Sequence, residues 1–361
     1  MNSIETYGMK RDRMSNIVRS RAPLRLGFGG GGTDVAPYCD QYGGFVLNAT
    51  IDLYANCTIA FDNKVDTVRF KALDLKVAED LPLSSSFSLE GPLKLHRAIY
   101  NRVVHDFNDG KPIPVCVSTW SDAAPGSGLG TSSTLVVAIL SAYKELLGLP
   151  LGEYDIAHLA YDIERIDCGL SGGKQDQYAA TFGGFNFMEF YQNERVIVNP
   201  LRIRRNIELE LETSLLLFYT GQSRESAQII DDQSKAAGSH GKVDDVAIKA
   251  MHQVKALSLD MKEALLKGQI ANFMQLIGSA WDAKKRMAKS ISSSSIENIA
   301  ERALGAGAKS IKITGAGGGG YMMIFVEPPN RHKVIDGLSE LAGAFHNFRF
   351  TNAGVESWKA I

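Results

Sequence analysis

Twelve of the chain's 35 glycines fall in three short clusters: residues 29–32; Gly126, Gly128 and Gly130; and Gly315 with residues 317–320. Glycine loses more backbone freedom on folding than any other residue. Such clusters persist where the chain needs φ > 0 or where a ligand must approach the backbone closely. A flexible linker would be Ser-rich or repetitive, and none of the three is; each adjoins a strand or helix pattern. The chain is therefore expected to fold around three loops that bring backbone close to a ligand.

Charge limits what that ligand is. Lys and Arg total 39 against 40 Asp and Glu, so no global field favours nucleic acid or a membrane surface. An anionic ligand must be held by a local cluster. A length of 361 residues suits two medium domains, and a 45% hydrophobic content is ordinary for a packed core. Cys39, Cys57, Cys116 and Cys168 form no CxxC pair and read as free thiols in a reducing compartment. No apolar run approaches the roughly 20 residues that span a bilayer, and the N-terminus has no signal-type apolar region. Cytoplasm is the expected location. Residues 1–13 are polar and are expected to be a disordered extension, with Met14 an alternative start.

From residue 47 to 61 every odd position is apolar, while Asn48, Thr50, Asp52, Asn56 and Thr58 lie between them. Period two over that length predicts a strand with one buried face. Val115–Ser121 reads as a strand leading through a Gly-rich turn into a helix over Thr131–Leu147. An amphipathic helix is predicted at 153–166, with Glu164 beside its apolar face. Further strands are predicted at 182–190, 215–219, 310–314, 321–326 and 348–355, and helices at about 243–267, 270–288 and 331–343. Ser-rich 290–295 reads as a loop or helix cap. The order lacks a regular βαβ rhythm, so the class is α+β. A boundary near 191–205 divides a first domain, 14–198, from a second, 199–361.

The middle cluster carries the strongest chemistry: Pro125-Gly126-Ser127-Gly128-Leu129-Gly130-Thr131-Ser132-Ser133, between strand and helix. Its glycines let successive N–H groups converge on an anion, and the N-terminus of the following helix adds to that attraction. A polyphosphate is the natural ligand. The hydroxyls of Thr131, Ser132 and Ser133 can cap the helix or ligate Mg²⁺. No GxxxxGK[ST] occurs and the segment does not fit GxGxxG, so neither a Walker A loop nor a Rossmann site applies. Phosphoryl transfer also needs carboxylates, for the metal and for the hydroxyl proton. Glu164 and Asp176 flank a turn containing Gly169, Gly172 and Gly173 that can fold them toward one point. Lys174, two positions from Asp176, can keep it ionised. Asp162 and Asp167 compete for the same roles on spacing. Arg25, entering the first cluster, offers a planar donor fork for phosphate, and Asp34 can accept hydrogen bonds from a polyol. The third cluster, between two strands, lets backbone lie against a ligand.

In this order and at these separations the clusters resemble the three motifs of the GHMP kinase superfamily, from about residue 18 to the C-terminus. The resemblance implies two domains, an N-terminal one like ribosomal protein S5 domain 2 and a ferredoxin-like C-terminal one, with ATP and substrate meeting between them. It implies that residues 125–133 hold ATP and that Ser132 and Glu164 ligate Mg²⁺. It also implies that Asp176 is the general base, that Arg25 lies by the transferring phosphate, and that Thr33 and Asp34 hold sugar hydroxyls. Galactokinases carry Gly-Glu-His-Thr-Asp, whereas Thr33-Asp34 here follow four glycines, which argues against galactose.

Residues 28–34, Gly172-Gly173-Lys174-Gln175-Asp176-Gln177 and Tyr219-Thr-Gly-Gln-Ser-Arg224 resemble the superfamily branch that acts on D-glycero-D-manno-heptose 7-phosphate. Fucokinase domains are near neighbours of that branch. The implied reaction carries the ATP γ-phosphate to the anomeric hydroxyl, giving the 1,7-bisphosphate for nucleotide-activated heptose and surface polysaccharide synthesis. A phosphorylated sugar needs cations at its far end. Lys174 and Arg224 are the candidates, with Arg202, Arg204 and Arg205 behind them. Gly172, Gly173 and the loop residues Gly315, Ala316, Gly317 and Gly318 complete the expected substrate contacts. One alternative is a kinase of an unphosphorylated sugar such as L-fucose or galactose. Another is a non-catalytic binding protein, which would be expected to lose Ser132, Glu164 or Asp176. The expected partner is a small sugar phosphate, with no nucleic acid or membrane, and the chain is expected to be a monomer or homodimer.

Overall fold

The computed structural model describes residues 16–222, 226–239, 241 and 243–361. The predicted N-terminal extension and Arg224 lie outside them. In chain order the first half runs β1 (Ile17–Gly29), α1 (Tyr38–Tyr42), β2 (Gly44–Phe61), β3 (Thr67–Ala72), β4 (Val77–Pro82), α2 (Lys94–Phe107), β5 (Val115–Ser121), α3 (Thr131–Leu147), α4 (Glu153–Asp162), α5 (Gln175–Phe182), β6 (Phe185–Phe190) and β7 (Val196–Pro200). The second half runs α6 (Arg205–Ser214), β8 (Leu215–Tyr219), α7 (Ser226–Ala236), α8 (Asp245–Lys267), α9 (Ile270–Lys285), α10 (Ser294–Gly305), β9 (Ala308–Ile313), β10 (Tyr321–Val326), α11 (Arg331–Leu338), β11 (Ala344–His346) and β12 (Glu356–Lys359). This is the α+β arrangement expected.

One sheet has the order β12-β1-β2-β5-β3-β4, with β6 joined to β2 and β7 to β6; the other has the order β11-β8-β10-β9. β3 and β5 run parallel, and the remaining pairs run antiparallel. Val136, Val137, Ile139 and Leu140 of α3 share a core with Val18 of β1, Ile59 of β2 and Val117 of β5. A second core joins the two sheets: Leu24, Leu26 and Phe28 of β1 meet Leu215 and Leu217 of β8, Phe273 of α9 and Met323 of β10. β1 thus packs against both halves, and its C-terminal end enters the first glycine cluster where they meet.

Four sequence expectations are revised. Alternating burial along β2 holds near Ala55, Cys57 and Ile59, but Asn48 and Thr50 are fully buried. Thr50 is satisfied from other segments: it donates to the Thr351 carbonyl at 2.8 Å and accepts from Gly184 N–H at 2.7 Å. The strand expected at 348–355 is reduced to one bridge, Phe350 with Ile51. The terminal strand is instead β12, antiparallel to β1 with Val18 opposite Lys359. The helix at 153–166 changes geometry at Ile163, where a π-helical turn (Ile163–Asp167) begins. The segment read as the strand 182–190 starts later, because α5 occupies Gln175–Phe182.

Candidate active site

Gly130 adopts the left-handed conformation (φ 80°, ψ 22°) immediately before α3, so the chain turns sharply and the first N–H groups of the helix face outward. Ser132 and Ser133, in that first turn, do not cap the helix. They point at Glu164: Ser132 Oγ donates to Oε1 at 2.8 Å and Ser133 Oγ to Oε2 at 2.6 Å. Gln177 Nε2 adds a third donor to Oε2 at 2.7 Å. Glu164 is 2% exposed. A buried carboxylate is tolerated when donors surround it in this way. The π turn, closed by Cys168 N–H to the Ile163 carbonyl at 3.0 Å, carries both Glu164 and Arg165 at the site. Turns of this kind recur at functional sites. Arg165 contacts Glu164 at 3.3 Å and Ser133 Oγ at 3.3 Å.

A second cluster adjoins the same glycine loop, where a Cβ on Gly130 would stand 3.1 Å from Asp176 Cγ. Asp176, in the first turn of α5, accepts from Arg25 Nε at 2.8 Å and lies 2.6 Å from the Arg25 Nη2. Arg25 Nη1 also donates to the Gly128 carbonyl at 2.5 Å, tying the first glycine motif to the second. The cation expected beside Asp176 was Lys174; Arg25 takes that place, and the Lys174 ammonium lies over the Tyr161 ring at 5.6 Å. Asp34 accepts from Gly32 N–H at 3.0 Å and from Gln175 N–H at 3.2 Å, which holds the first glycine loop against the start of α5.

The third glycine loop closes the arrangement by direct backbone contact. A Cβ on Gly128 would stand 2.7 Å from the Thr314 carbonyl, and one on Gly315 would stand 2.7 Å from that of Gly128. Tyr321 N–H donates to the Ser127 carbonyl at 2.9 Å. Two lysines of the second half reach the same region. Lys284 Nζ donates to the Gly315 carbonyl at 2.6 Å, and burial pushes its amine down to about 8. Lys312 Nζ donates to the Gly27 carbonyl at 2.7 Å, and burial pushes it well below the usual lysine range.

These walls enclose a cavity of about 700 Å³, large enough for a nucleotide's phosphates beside a sugar. Of the expected residues, Arg25, Asp34, Pro125, Gly126, Gly128, Gly130, Thr131, Ser132, Ser133, Glu164, Gly173, Asp176, Gly315 and Ala316 line it. The others sit behind. Thr33 is fully buried and braces the first loop, donating to the Gly30 carbonyl at 2.8 Å. Ser127 bonds Thr131 Oγ1 at 3.1 Å, and Leu129 is in the core. Gly172 packs under the Arg165 guanidinium. Gly317 abuts Ile291, and Gly318 N–H donates to the Ile291 carbonyl at 2.8 Å. Arg202, Arg204 and Arg205 are outside the lining, and Arg205 pairs with Glu208 at 2.5 Å. Asp162 and Asp167, the spacing rivals of Glu164, also lie outside it; Asp167 pairs with Arg102 at 2.6 Å. Sequence reasoning missed Arg165, Gln175, Gln177 and Lys284. Only the first three carried any signal, as neighbours of residues already singled out.

Comparison with known proteins agrees with this geometry. The model for the GHMP kinases N terminal domain matches residues 94–184, and that for the GHMP kinases C terminal matches residues 261–343. The chain is 45% identical over 351 residues to the D-glycero-alpha-D-manno-heptose 7-phosphate kinase of Campylobacter jejuni, covering 95% of this chain and 99% of that one. A crystal structure of a D-glycero-D-manno-heptose 1-phosphate kinase from Bacteriodes thetaiotaomicron superposes with a TM-score of 0.81 at 43% identity, covering 95% and 99% of the two chains. The L-fucokinase/L-fucose-1-P guanylyltransferase of Bacteroides fragilis is 27% identical over 87% of this chain and 35% of its own length.

Proposed function

The chain belongs to the GHMP kinases, and on that premise we propose that it is a sugar kinase acting on D-glycero-D-manno-heptose 7-phosphate. It transfers the γ-phosphate of ATP to the anomeric hydroxyl and gives the 1,7-bisphosphate. The sugar is inferred from the near-full-length relative at 45% identity. The observation that carries the chemistry is that the Asp176–Arg25 pair and the Ser132–Glu164 pair line one cavity. We assign residues 14–198 to the ATP-binding domain and 199–361 to its C-terminal partner. Among the described residues no helix is long and apolar enough to cross a membrane. The same reading puts the enzyme in the cytoplasm, feeding nucleotide-activated heptose synthesis as a monomer or homodimer.

In this mechanism the N–H groups of residues 126–132 cradle the ATP phosphates at the N-terminus of α3. The donor set beside them suits a hard divalent cation: Ser132 Oγ and Glu164 Oε1 are oxygens 2.8 Å apart, and Ser133 and Gln177 orient the carboxylate from behind. Ser132 and Glu164 would hold Mg²⁺, which when bound would supply charge neutralisation to the phosphates. Asp176 accepts the proton of the attacking hydroxyl. A carboxylate suffices as base because an anomeric hydroxyl is more acidic than an ordinary alcohol. Arg25 holds that carboxylate in place and offers its remaining donor face to the group in transit. Asp34 accepts from sugar hydroxyls.

Coupled ADP release with Mg·ATP tests the reading against D-glycero-D-manno-heptose 7-phosphate, L-fucose, D-galactose, mannose 6-phosphate and mevalonate. Selective turnover of the heptose 7-phosphate is expected. Activity confined to an uncharged sugar retains the kinase and rejects the heptose phosphate, and silence across the panel rejects both.

A further inference from the structure

Three cations line the cavity among the described residues: Arg25, Arg165 and Lys284. Two of them already spread several donors over protein acceptors. Arg25 is committed to Asp176 and to the Gly128 carbonyl. Arg165 stands on the wall with Glu164 and spreads over Ser133 Oγ and the carbonyls of Leu170, Ser171 and Gly173. Lys284 differs. An ammonium has three donors, and the hydrogen bond made here is the one to Gly315 at 2.6 Å. The side chain is 2% exposed.

Its position is equally specific. Lys284 rises from the last turn of α9, and its Nζ would meet a Cβ on Gly31 at 3.5 Å. It therefore stands between the first and third glycine loops. Asp34, Arg25 and Asp176 are near enough to act on it electrostatically, with Lys312 behind it. Asp34, Asp176 and Arg25 are the groups proposed above to face the sugar and the group in transit, and they define the sugar half of the cavity. A buried ammonium with a single neutral acceptor is costly unless an anion completes its shell.

Resting on the kinase reading above, we propose that Lys284 is a substrate-binding residue that holds a phosphate oxygen in the sugar half of the cavity. Two sources carry such an oxygen: the sugar's own phosphate and the phosphoryl group in transit from ATP. The donors left over on Nζ can donate to either.

Lys284→Met keeps the apolar stem and removes the charge. With saturating Mg·ADP on the donor loop, calorimetric titration of inorganic phosphate reads the sugar half without depending on which sugar is the substrate. The variant is expected to bind phosphate at least tenfold more weakly than the wild type. Equal affinity, or no phosphate binding by the wild type, overturns the proposal. Kinetics then separate the sources. If Lys284 holds the sugar's phosphate, KM for heptose 7-phosphate rises tenfold or more at constant kcat, and the preference over unphosphorylated heptose disappears. If it holds the group in transit, kcat falls tenfold or more with both sugars. Unchanged kcat and KM for both sugars overturn the assignment.

Should the variant fail to fold, the wild type carries the test. Its phosphate affinity, followed from pH 7 to 9, is expected to fall as the Lys284 amine, pushed down to about 8, loses its proton. The charged groups facing that amine are Asp34, Asp176 and Arg25, with Lys312 behind it. A flat profile overturns the role. A wild type that binds phosphate yet ignores heptose 7-phosphate rejects the proposed sugar and leaves the Lys284 site standing.

Discussion

Arg25 and Asp176, 151 positions apart in sequence, meet on a single carboxylate oxygen: Nε at 2.8 Å and Nη2 at 2.6 Å. The arginine side chain is 4% exposed and the aspartate 20%. Arg25 is thus locked into the protein while the carboxylate stays open to the cavity. The pair joins β1 to the first turn of α5, so the strand that enters the first glycine loop also orients the proposed base.

Asp176→Asn keeps the shape and removes the base. Turnover is expected to fall roughly 10³-fold, with the Kd for ATP changed by less than about threefold because the donor loop is untouched. Single-turnover rates and nucleotide titrations measure the two separately. Near-normal turnover would remove Asp176 from the base role.

Glu164→Gln replaces an acceptor that three side chains address with a group carrying its own donors. The Mg²⁺ concentration for half-maximal activity is expected to rise roughly 10- to 100-fold, with a smaller rise for Ser132→Ala. A magnesium titration at fixed ATP measures it, and an unchanged midpoint would exclude Glu164 as a ligand.

Gly128→Ala places a methyl 2.7 Å from the Thr314 carbonyl at φ +81°, so it both strains the backbone and wedges two loops apart. Gly110→Ala has φ +69° with nothing within 4 Å and carries the backbone strain alone. The control is expected to lose about 1–2 kcal/mol. Gly128→Ala should lose more, and its KM for ATP should rise. Thermal unfolding and ATP kinetics on both variants decide this; matching losses would mean the loops part without cost.

His96 lies buried beneath β5, with Nε2 2.9 Å from Thr119 Oγ1, and burial pushes it down to about 4. The unfolded chain therefore binds a proton that the folded chain refuses between about pH 6.5 and pH 4. Stability present above that window is lost as pH falls through it, by on the order of 2–3 kcal/mol. Melting curves of wild type and His96→Gln between pH 7 and 4 test this. The variant should show a shallower decline, and parallel curves would acquit His96.

Much of this architecture is legible from local pattern. Val115–Ser121, Thr131–Leu147, Leu215–Tyr219 and Tyr321–Val326 appear where periodicity and glycine punctuation put them. Within one element, side-chain period and turn chemistry are encoded by neighbours a few positions apart. For the same reason the glycine clusters announced a phosphate-type site, while the roles expected of Ser132, Glu164, Asp176 and Arg25 came from the family resemblance, since on spacing Asp162 and Asp167 compete with Glu164. The pattern gives no expectation for β3, β4 and α2, although Gly91-Pro92 and Asp109-Gly110 bracket α2.

What the chain determines by itself is therefore the set of elements and the chemical character of its loops. Which side chains meet was decided by tertiary packing. β12 returns from the C-terminus to pair with β1, and Thr50 is polar yet buried because other segments satisfy it. Lys174, two positions from Asp176 in sequence, turns to Tyr161, while Arg25 arrives from β1 to take its place. Lys284 sits on a helix face with no local sign of function and reaches the cavity because α9 packs behind the first and third glycine loops. Sequence spacing constrains a residue to a face of its own element. Whether that face meets a ligand depends on how two separately folded sheets bury their remaining apolar surface against each other.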